Sequence, residues 1–182
     1  DWPGVRAAFA TAGSAYERHQ IVALARSMTG CENLLTVVRS HDPSDLLART
    51  MLASRQIGLA WEARGSGRAS TVGQQQFERF FALLEEAERS LIEVCAREPG
   101  LAAAWAVRLV TSRGLELGGS ETRRRYQRLA AVSPHDLLAQ ELLLQDLLPK
   151  WGGSWEQATR FAWECANQAP PGSPNPALVV IL

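Results

Sequence analysis

Apolar residues along this chain recur at steps of three and four, which is the spacing of one face of an α-helix. The pattern is clearest from residue 74 to 97, where Phe77, Phe80 and Leu84 fall on one side and charged residues on the other. The apolar segment from 31 to 39 is short enough to form a strand, but we predict a helix there because helices surround it. The sequence therefore predicts an all-α protein.

Capping and turn residues predict where these helices begin and end. Ser14 and Ser154 each open a capping box, in which the serine oxygen accepts a hydrogen bond from a first-turn amide. Asp42 followed by Pro43 predicts another helix start, with the aspartate as cap and proline at the first helical position. Glycine and small polar residues from 65 to 73 predict a loop. The predicted helices span residues 1–12, 15–28, 31–39, 43–64, 74–97, 101–117, 120–132, 137–148 and 155–169.

Prolines close successive helix pairs at a nearly constant spacing. Pro99, Pro134 and Pro170 are 35 and 36 residues apart, and each interval holds a helix, a glycine turn and a second helix. This arrangement resembles the tetratricopeptide repeat, whose period is about 34 residues. The best match is 135–170, with Gly153 in the turn.

The resemblance implies antiparallel helix hairpins stacked as a short right-handed solenoid in a single domain. The segment Asp45-Leu46-Leu47-Ala48 recurs as Asp136-Leu137-Leu138-Ala139, each near the start of a first helix, which supports this register. The turn Trp151-Gly152-Gly153-Ser154 is also similar to one in uncharacterised bacterial helical proteins, a likeness that implies no function. The predicted organisation of 1–182 is N-terminal helices (1–42), helix pairs (43–99, 100–134 and 135–170), and a proline-rich linker leading into the start of a further helix (171–182).

Stacked helix pairs form a concave face lined by the first helix of each pair. We therefore predict a non-catalytic scaffold, without a cofactor, that binds a protein or peptide partner on this face. Helical phase selects the polar positions expected to face solvent there, which are Arg49, Gln56, Arg108, Ser112, Glu141 and Gln145.

The alternative interpretation is a metal-dependent hydrolase. His41-Asp42 and His135-Asp136 resemble the pair that names an all-helical family of His-Asp phosphohydrolases, and this implies those four residues as metal ligands. That family carries its His-Asp pair inside a helix. Here both pairs lie at predicted helix starts beside a proline, where aspartate serves as a cap opposite the helix dipole.

Charge balance and cysteine spacing limit the possible partners and compartment. The 19 Lys and Arg residues equal the 19 Asp and Glu residues, so we expect neither nucleic acid nor an anionic membrane as a partner. Lys150 is the only lysine, and this arginine bias is typical of a GC-rich bacterial genome. Cys31, Cys95 and Cys165 lack metal or disulfide spacing, which predicts reduced core cysteines and a cytoplasmic protein.

Arginine and tryptophan clusters have a structural interpretation as well as a binding one. Arg123-Arg124-Arg125 forms a basic band on a predicted helix, and we interpret it as a solvated face. Tryptophan side chains of helices and turns are interpreted as packing residues. Those expected in the core are Trp61, Trp105 and Trp163, and those expected to wedge between hairpins are Trp151 and Trp155.

Overall fold

The all-α prediction is confirmed by the computed structural model, which describes residues 1–182 apart from the side chain of Ala69. Within this described part the chain forms nine α-helices and no strand. The helices are α1 (Trp2–Thr11), α2 (Ala15–Leu24), α3 (Cys31–His41), α4 (Leu46–Arg64), α5 (Gln74–Arg97), α6 (Ala102–Gly114), α7 (Gly119–Ala130), α8 (Leu137–Asp146) and α9 (Trp155–Gln168). Short 3₁₀ helices span Ala69–Thr71, Pro149–Trp151 and Asn175–Val179.

The first helices of two predicted pairs, α4 and α8, begin with the same cap. Asp45 accepts a hydrogen bond from the Ala48 amide at 3.0 Å, and Asp136 accepts one from the Ala139 amide at 3.0 Å. The prediction that Asp42 caps this helix is therefore wrong. Asp42 instead accepts the Ser44 amide at 3.0 Å in the preceding turn, because a short carboxylate readily bonds the backbone two residues on.

The centre of the molecule is formed by α4 and α6, which are buried on nearly all sides. Helix α4 packs against α5 and α3, while α6 packs against α5, α7 and α8. Helix α2 crosses to contact α4, α6 and α8, and its His19 bonds Asp136 of the α8 cap at 3.2 Å. The N-terminal part of the chain therefore covers the first helices of all three predicted pairs.

This covering overturns part of the predicted binding surface. Gln56, Arg108 and Ser112 were expected to face solvent, but they are only 8%, 7% and 1% exposed. Helical phase identified a polar side of α4 and α6 without revealing that neighbouring helices lie against that side. Arg49 and Glu141 are half-buried, and Gln145 is exposed.

A buried ionic cluster joins α5, α6 and α7. The Glu88 carboxylate accepts hydrogen bonds from Arg108 Nη2 at 2.6 Å, from Arg125 Nη2 at 2.9 Å and from Thr111 Oγ1 at 2.6 Å. Arg125 also pairs with Glu121. Hydrogen bonds from Arg124, first, and from Arg125 lower the pKa of Glu121 to about 2, although burial acts in the opposite direction. Arg125 is thus a core residue, and the interpretation of its helix face as solvated is wrong at this position.

Tryptophans divide between the core and the surface. Trp105 is buried, as predicted, and Trp61 is only half-buried against the core, while Trp163 is 53% exposed and Trp155 59% exposed. Helix α9 turns a stripe of small and aromatic residues inward, and both exposed tryptophans lie outside that stripe, so they do not contribute to the core. The residues of the inward stripe are Ala158, Phe161, Ala162 and Cys165.

Two of the three cysteines are buried, and the last segment of the chain packs against the helices. Cys95 is buried and free like Cys165, and burial raises the pKa of each to about 11, while Cys31 is half-buried. The segment 171–182 is more than a linker, because its 3₁₀ helix packs on α8 and α9 through the fully buried Leu178.

Glycine permits two close backbone approaches. A Cβ atom on Gly153 would lie 2.0 Å from the Leu147 carbonyl oxygen, and one on Gly58 would lie 1.9 Å from the Arg26 carbonyl oxygen. Ser154 caps α9 by accepting the Gln157 amide at 3.2 Å, as its capping-box pattern predicted. The turn before α9 therefore requires glycine at position 153, because any side chain there would overlap the backbone of Leu147.

We expect Gly153→Ala to lower the free energy of unfolding by about 1–3 kcal/mol, because the new methyl group overlaps backbone rather than a movable side chain. Chemical denaturation measures the change. Gly119→Ala is the matched control, since no heavy atom lies within 4 Å of its Cβ position. Equal stability of the two variants would contradict the steric explanation.

We expect Glu88→Gln to lower the free energy of unfolding by about 3–5 kcal/mol, because it leaves the buried Arg108 without a carboxylate and the buried Arg125 with Glu121 alone. Thermal and urea denaturation measure the loss. Glu156→Gln is the control, because Glu156 pairs with Arg160 on the surface. A loss no greater than that of the control would show that the cluster does not hold the three helices together.

Candidate functional site

A cleft of about 780 Å³ lies where the carboxyl ends of three helices meet. Arg64 is the last residue of α4, Gly114 the last of α6, and Gln145 the next to last of α8, and all three line the cleft. The 3₁₀ turn at Pro149–Trp151 and the loop at 66–68 contribute further lining residues. The first helices of the three predicted pairs therefore end at one common cavity.

The lining of this cleft is strongly cationic although the whole chain is neutral. Among the described lining residues there are five cations and one carboxylate, that of Glu116. Such a local excess attracts anions even when the net charge is zero. The five cations are Arg26, Arg64, Arg68, Arg113 and Lys150.

Five aromatic rings also line the cleft, and three of them lie against its cations. The Arg64 guanidinium carbon is 5.7 Å from the ring centre of Trp61 and 5.9 Å from that of Phe77. Arg113 and Lys150 lie 5.5 and 5.4 Å from the ring centre of Trp151. Trp151 is 38% exposed, so it forms a wall of the cleft in addition to any packing between hairpins. Cation–π contacts of this kind hold charged groups at an apolar surface.

Arg26 has no ion-pair partner among the described residues. Burial, and then the charge of Arg113, lower the pKa of Arg26. Its Nε atom is buried without a hydrogen-bond partner among the described residues. Its backbone is firmly placed, because the Arg26 carbonyl accepts Arg55 Nη1 at 2.9 Å and abuts Gly58. A fixed main chain therefore presents an unpaired guanidinium group to the cleft.

Arg113 has a carboxylate neighbour, but burial disfavours both charges. Arg113 Nε lies 3.3 Å from Asp146 Oδ1, and the two side chains are 8% and 9% exposed. Burial lowers the pKa of Arg113 and raises that of Asp146 to about 6, although each charge favours the other. Desolvation outweighs attraction in this pair.

The six residues predicted for binding are distributed over the molecule. Only Gln145 lines the cleft, where it accepts a hydrogen bond from Arg113. Arg49 pairs with Glu93 of α5, and burial raises the pKa of Glu141 near His19. The other three are the buried residues of α4 and α6 described above. Sequence reasoning missed the cationic cluster, although arginine in the last turn of two first helices was a visible signal.

The residues of the predicted metal site are engaged elsewhere. His41 Nδ1 lies 2.9 Å from a backbone carbonyl oxygen of its own helix, and Asp42 bonds the turn that follows. Asp136 bonds His19 rather than His135 and also caps α8. In the part of the chain that the structure describes, no group of three or more His, Cys, Asp or Glu side chains is arranged to hold a metal ion. The hydrolase alternative stays a prediction from the sequence.

Comparison with known proteins gives no family for this chain. No model of a protein family, no curated protein and no solved structure matches it significantly. None of the described helices is both long enough and apolar enough to cross a membrane.

We expect Asp146 to make the protein less stable as pH rises from about 4 to about 6. Its pKa of about 6 in the folded state exceeds the ordinary value of 3.8, so the folded state binds the proton more tightly and ionisation favours unfolding. The effect is about 3 kcal/mol and levels off above its folded pKa. Urea denaturation at a series of pH values, compared with Asp146→Asn, measures it.

The control for this experiment is Asp42→Asn. Hydrogen bonds from the Ser44 side chain and amide lower the pKa of Asp42, so this carboxyl has the opposite sign of linkage. Asp42→Asn should therefore leave unchanged the fall in the free energy of unfolding between pH 4 and 6. A wild-type profile parallel to that of Asp146→Asn would contradict the burial of an ionised Asp146.

Proposed function

We propose that the protein is a non-catalytic helical-repeat scaffold that binds an acidic segment of a protein partner in the cleft between the helix ends. The observation that carries this proposal is the cluster of five cations around an aromatic-lined cavity with a single carboxylate. A partner carboxylate placed there gains charge-assisted hydrogen bonds and cation contacts, and aromatic walls accept apolar side chains beside it.

The repeat arrangement is part of the proposal. Its support is that α4 contacts α6 and α6 contacts α8, that α4 and α8 begin with the same aspartate cap, and that the carboxyl ends of all three helices line one cleft. Because α2 crosses these helices and contacts all three, we place binding at their ends rather than on the concave face.

Helix dipoles offer another explanation for the cations, but they are too weak to account for all of them. Each helix carboxyl end is equivalent to about half a negative charge, so three ends offset about 1.5 charges. Arg64 does serve this role in part, since its Nη1 donates to the carbonyl oxygens of Gly65 and Gly67. With Glu116 in the lining and Asp146 beside Arg113, five cations against two carboxylates and these helix ends still leave a positive excess.

A protein segment suits the cleft better than a nucleic acid does. Nucleic acids are held by cations that follow a phosphate backbone over many contacts. Some arginines outside the cleft are paired with glutamates, as Arg55 is with Glu32 and Glu62, and Arg124 is with Glu121. Five cations line one cavity, which fits a short acidic segment.

We expect a fluorescent peptide of aspartate, glutamate and tyrosine to bind the protein, and its affinity to fall when ionic strength rises from about 0.05 to about 0.5 M. Replacing Arg64, Arg68 and Lys150 together by glutamine should weaken binding about tenfold or more. Fluorescence anisotropy measures both effects.

The control is the simultaneous replacement of Arg79, Arg89 and Arg160 by glutamine, which removes the same charge from exposed positions outside the cleft. This variant should bind the peptide nearly as well as wild type. Equal losses in the two triple variants would reduce the interaction to general electrostatics, and no binding by wild type would refute the proposal.

A further inference from the structure

We propose that Arg26 and Arg113 form a subsite for the phosphate of a phosphorylated tyrosine in the partner's acidic segment, an inference that rests on the proposed function. Both guanidinium groups line the same cleft as Phe77, Phe80 and Phe81. An aryl phosphate combines the two chemistries of that lining, because its ring is apolar and its head is a strongly charged anion.

The two arginines of the subsite match an anion of two charges better than a carboxylate of one. Arg26 has no carboxylate partner among the described residues, and Arg113 is paired with Asp146 only. The mutual influence of the two arginines shows in the pKa of Arg26, which burial and then the charge of Arg113 lower. A phosphate monoester carries about −1.5 to −2 charges at neutral pH, whereas a carboxylate carries one. A dianion therefore compensates the pair better.

Hydrogen-bond donors are also available in the right form. A guanidinium group presents donors in a planar fork that matches two phosphate oxygens. Among the described contacts Arg26 donates no side-chain hydrogen bond, and its Nε is buried and unpartnered. Arg113 donates to Gln145 through Nη1 and has further donors. The subsite is therefore rich in donors that the rest of the protein does not use.

The main chain beneath the subsite is fixed in advance. Arg55 Nη1 bonds the Arg26 carbonyl while also bonding Glu62 at 2.7 Å, and Arg55 Nε bonds Glu32 at 2.9 Å. This places the turn after α2 against α4 at Gly58. Since positioned donors lose less entropy on binding than mobile ones, the arrangement favours affinity for a compact anion.

The first test compares phenyl phosphate with phenyl sulfate by isothermal titration calorimetry at a pH of about 7.5, where the phosphate is a dianion and the sulfate a monoanion of similar shape. We expect phenyl phosphate to bind about tenfold more tightly than phenyl sulfate or inorganic phosphate. Equal affinities for phenyl phosphate and phenyl sulfate would overturn the subsite.

The second test removes the subsite. Arg26→Gln should weaken phenyl phosphate binding about tenfold and abolish the preference over phenyl sulfate, while Arg26→Lys should restore part of the affinity because it restores charge without the fork. Arg160→Gln, outside the cleft, is the matched control. We expect Arg26→Gln to melt no lower than wild type, since it removes an unpaired, half-buried charge. Unchanged phenyl phosphate binding by Arg26→Gln would overturn the assignment.

The third test separates this inference from the proposed function and from nucleotide binding. A peptide with phosphotyrosine should bind more tightly than the same acidic peptide with tyrosine, and Arg26→Gln should remove only that gain. If both peptides bind equally and Arg26→Gln changes neither, the scaffold function stands and the phosphate subsite fails. If neither peptide binds, both fail. Tighter binding of adenosine monophosphate or of a single-stranded oligonucleotide than of the phosphopeptide would also overturn the inference.

Discussion

The Glu88 carboxylate is the interaction on which the arrangement of the central helices depends. It accepts hydrogen bonds from Arg108 of α6 and Arg125 of α7 at a place where both guanidinium groups are almost fully buried. A buried charge costs several kcal/mol unless it is paired, so α5, α6 and α7 can pack only in the register that brings these three groups together. That register also sets the end of α6, where Gly114 fits against Leu84 and Phe80 of α5 and Arg113 reaches the cleft.

The arginines that are wholly or partly buried fall into two groups, those with hydrogen-bonding partners and those without. Arg55, Arg108 and Arg125 are each surrounded by carboxylates or carbonyl oxygens, and each joins separate helices. Arg26 is half-buried and lacks such partners, so nothing offsets the burial that lowers its pKa. An uncompensated buried cation reduces stability, and residues that reduce stability in this way concentrate at functional sites. The core arginines have carboxylate partners and Arg26 of the cleft has none, and this contrast is the reason to place binding at the helix ends.

Local features of the fold could be predicted from the sequence, because they depend on neighbouring residues. The periodicity from 74 to 97 predicted α5, and Ser154 and Gly153 predicted the cap and turn before α9. The error at Asp42 arose because two aspartates three residues apart both suit a helix start, and only the backbone decides between them. Whether a polar residue is buried was not predictable, since Arg125 lies in a run of arginines and meets its partner Glu88 only after folding.

The candidate site could not be predicted from the sequence for a related reason. Its residues come from the turn after α2, the loop at 66–68, the start of α5, the ends of α4, α6 and α8, and the turn at Pro149–Trp151, so no contiguous stretch contains the pattern. The repeat resemblance directed attention to the long faces of the first helices, but α2 lies against those helices and His19 anchors it to the α8 cap. A face that becomes part of the core cannot bind a partner. The carboxyl ends of the same helices stay open, and there the unsatisfied carbonyls of helix termini first favour cations, and an excess of cations then favours an anion.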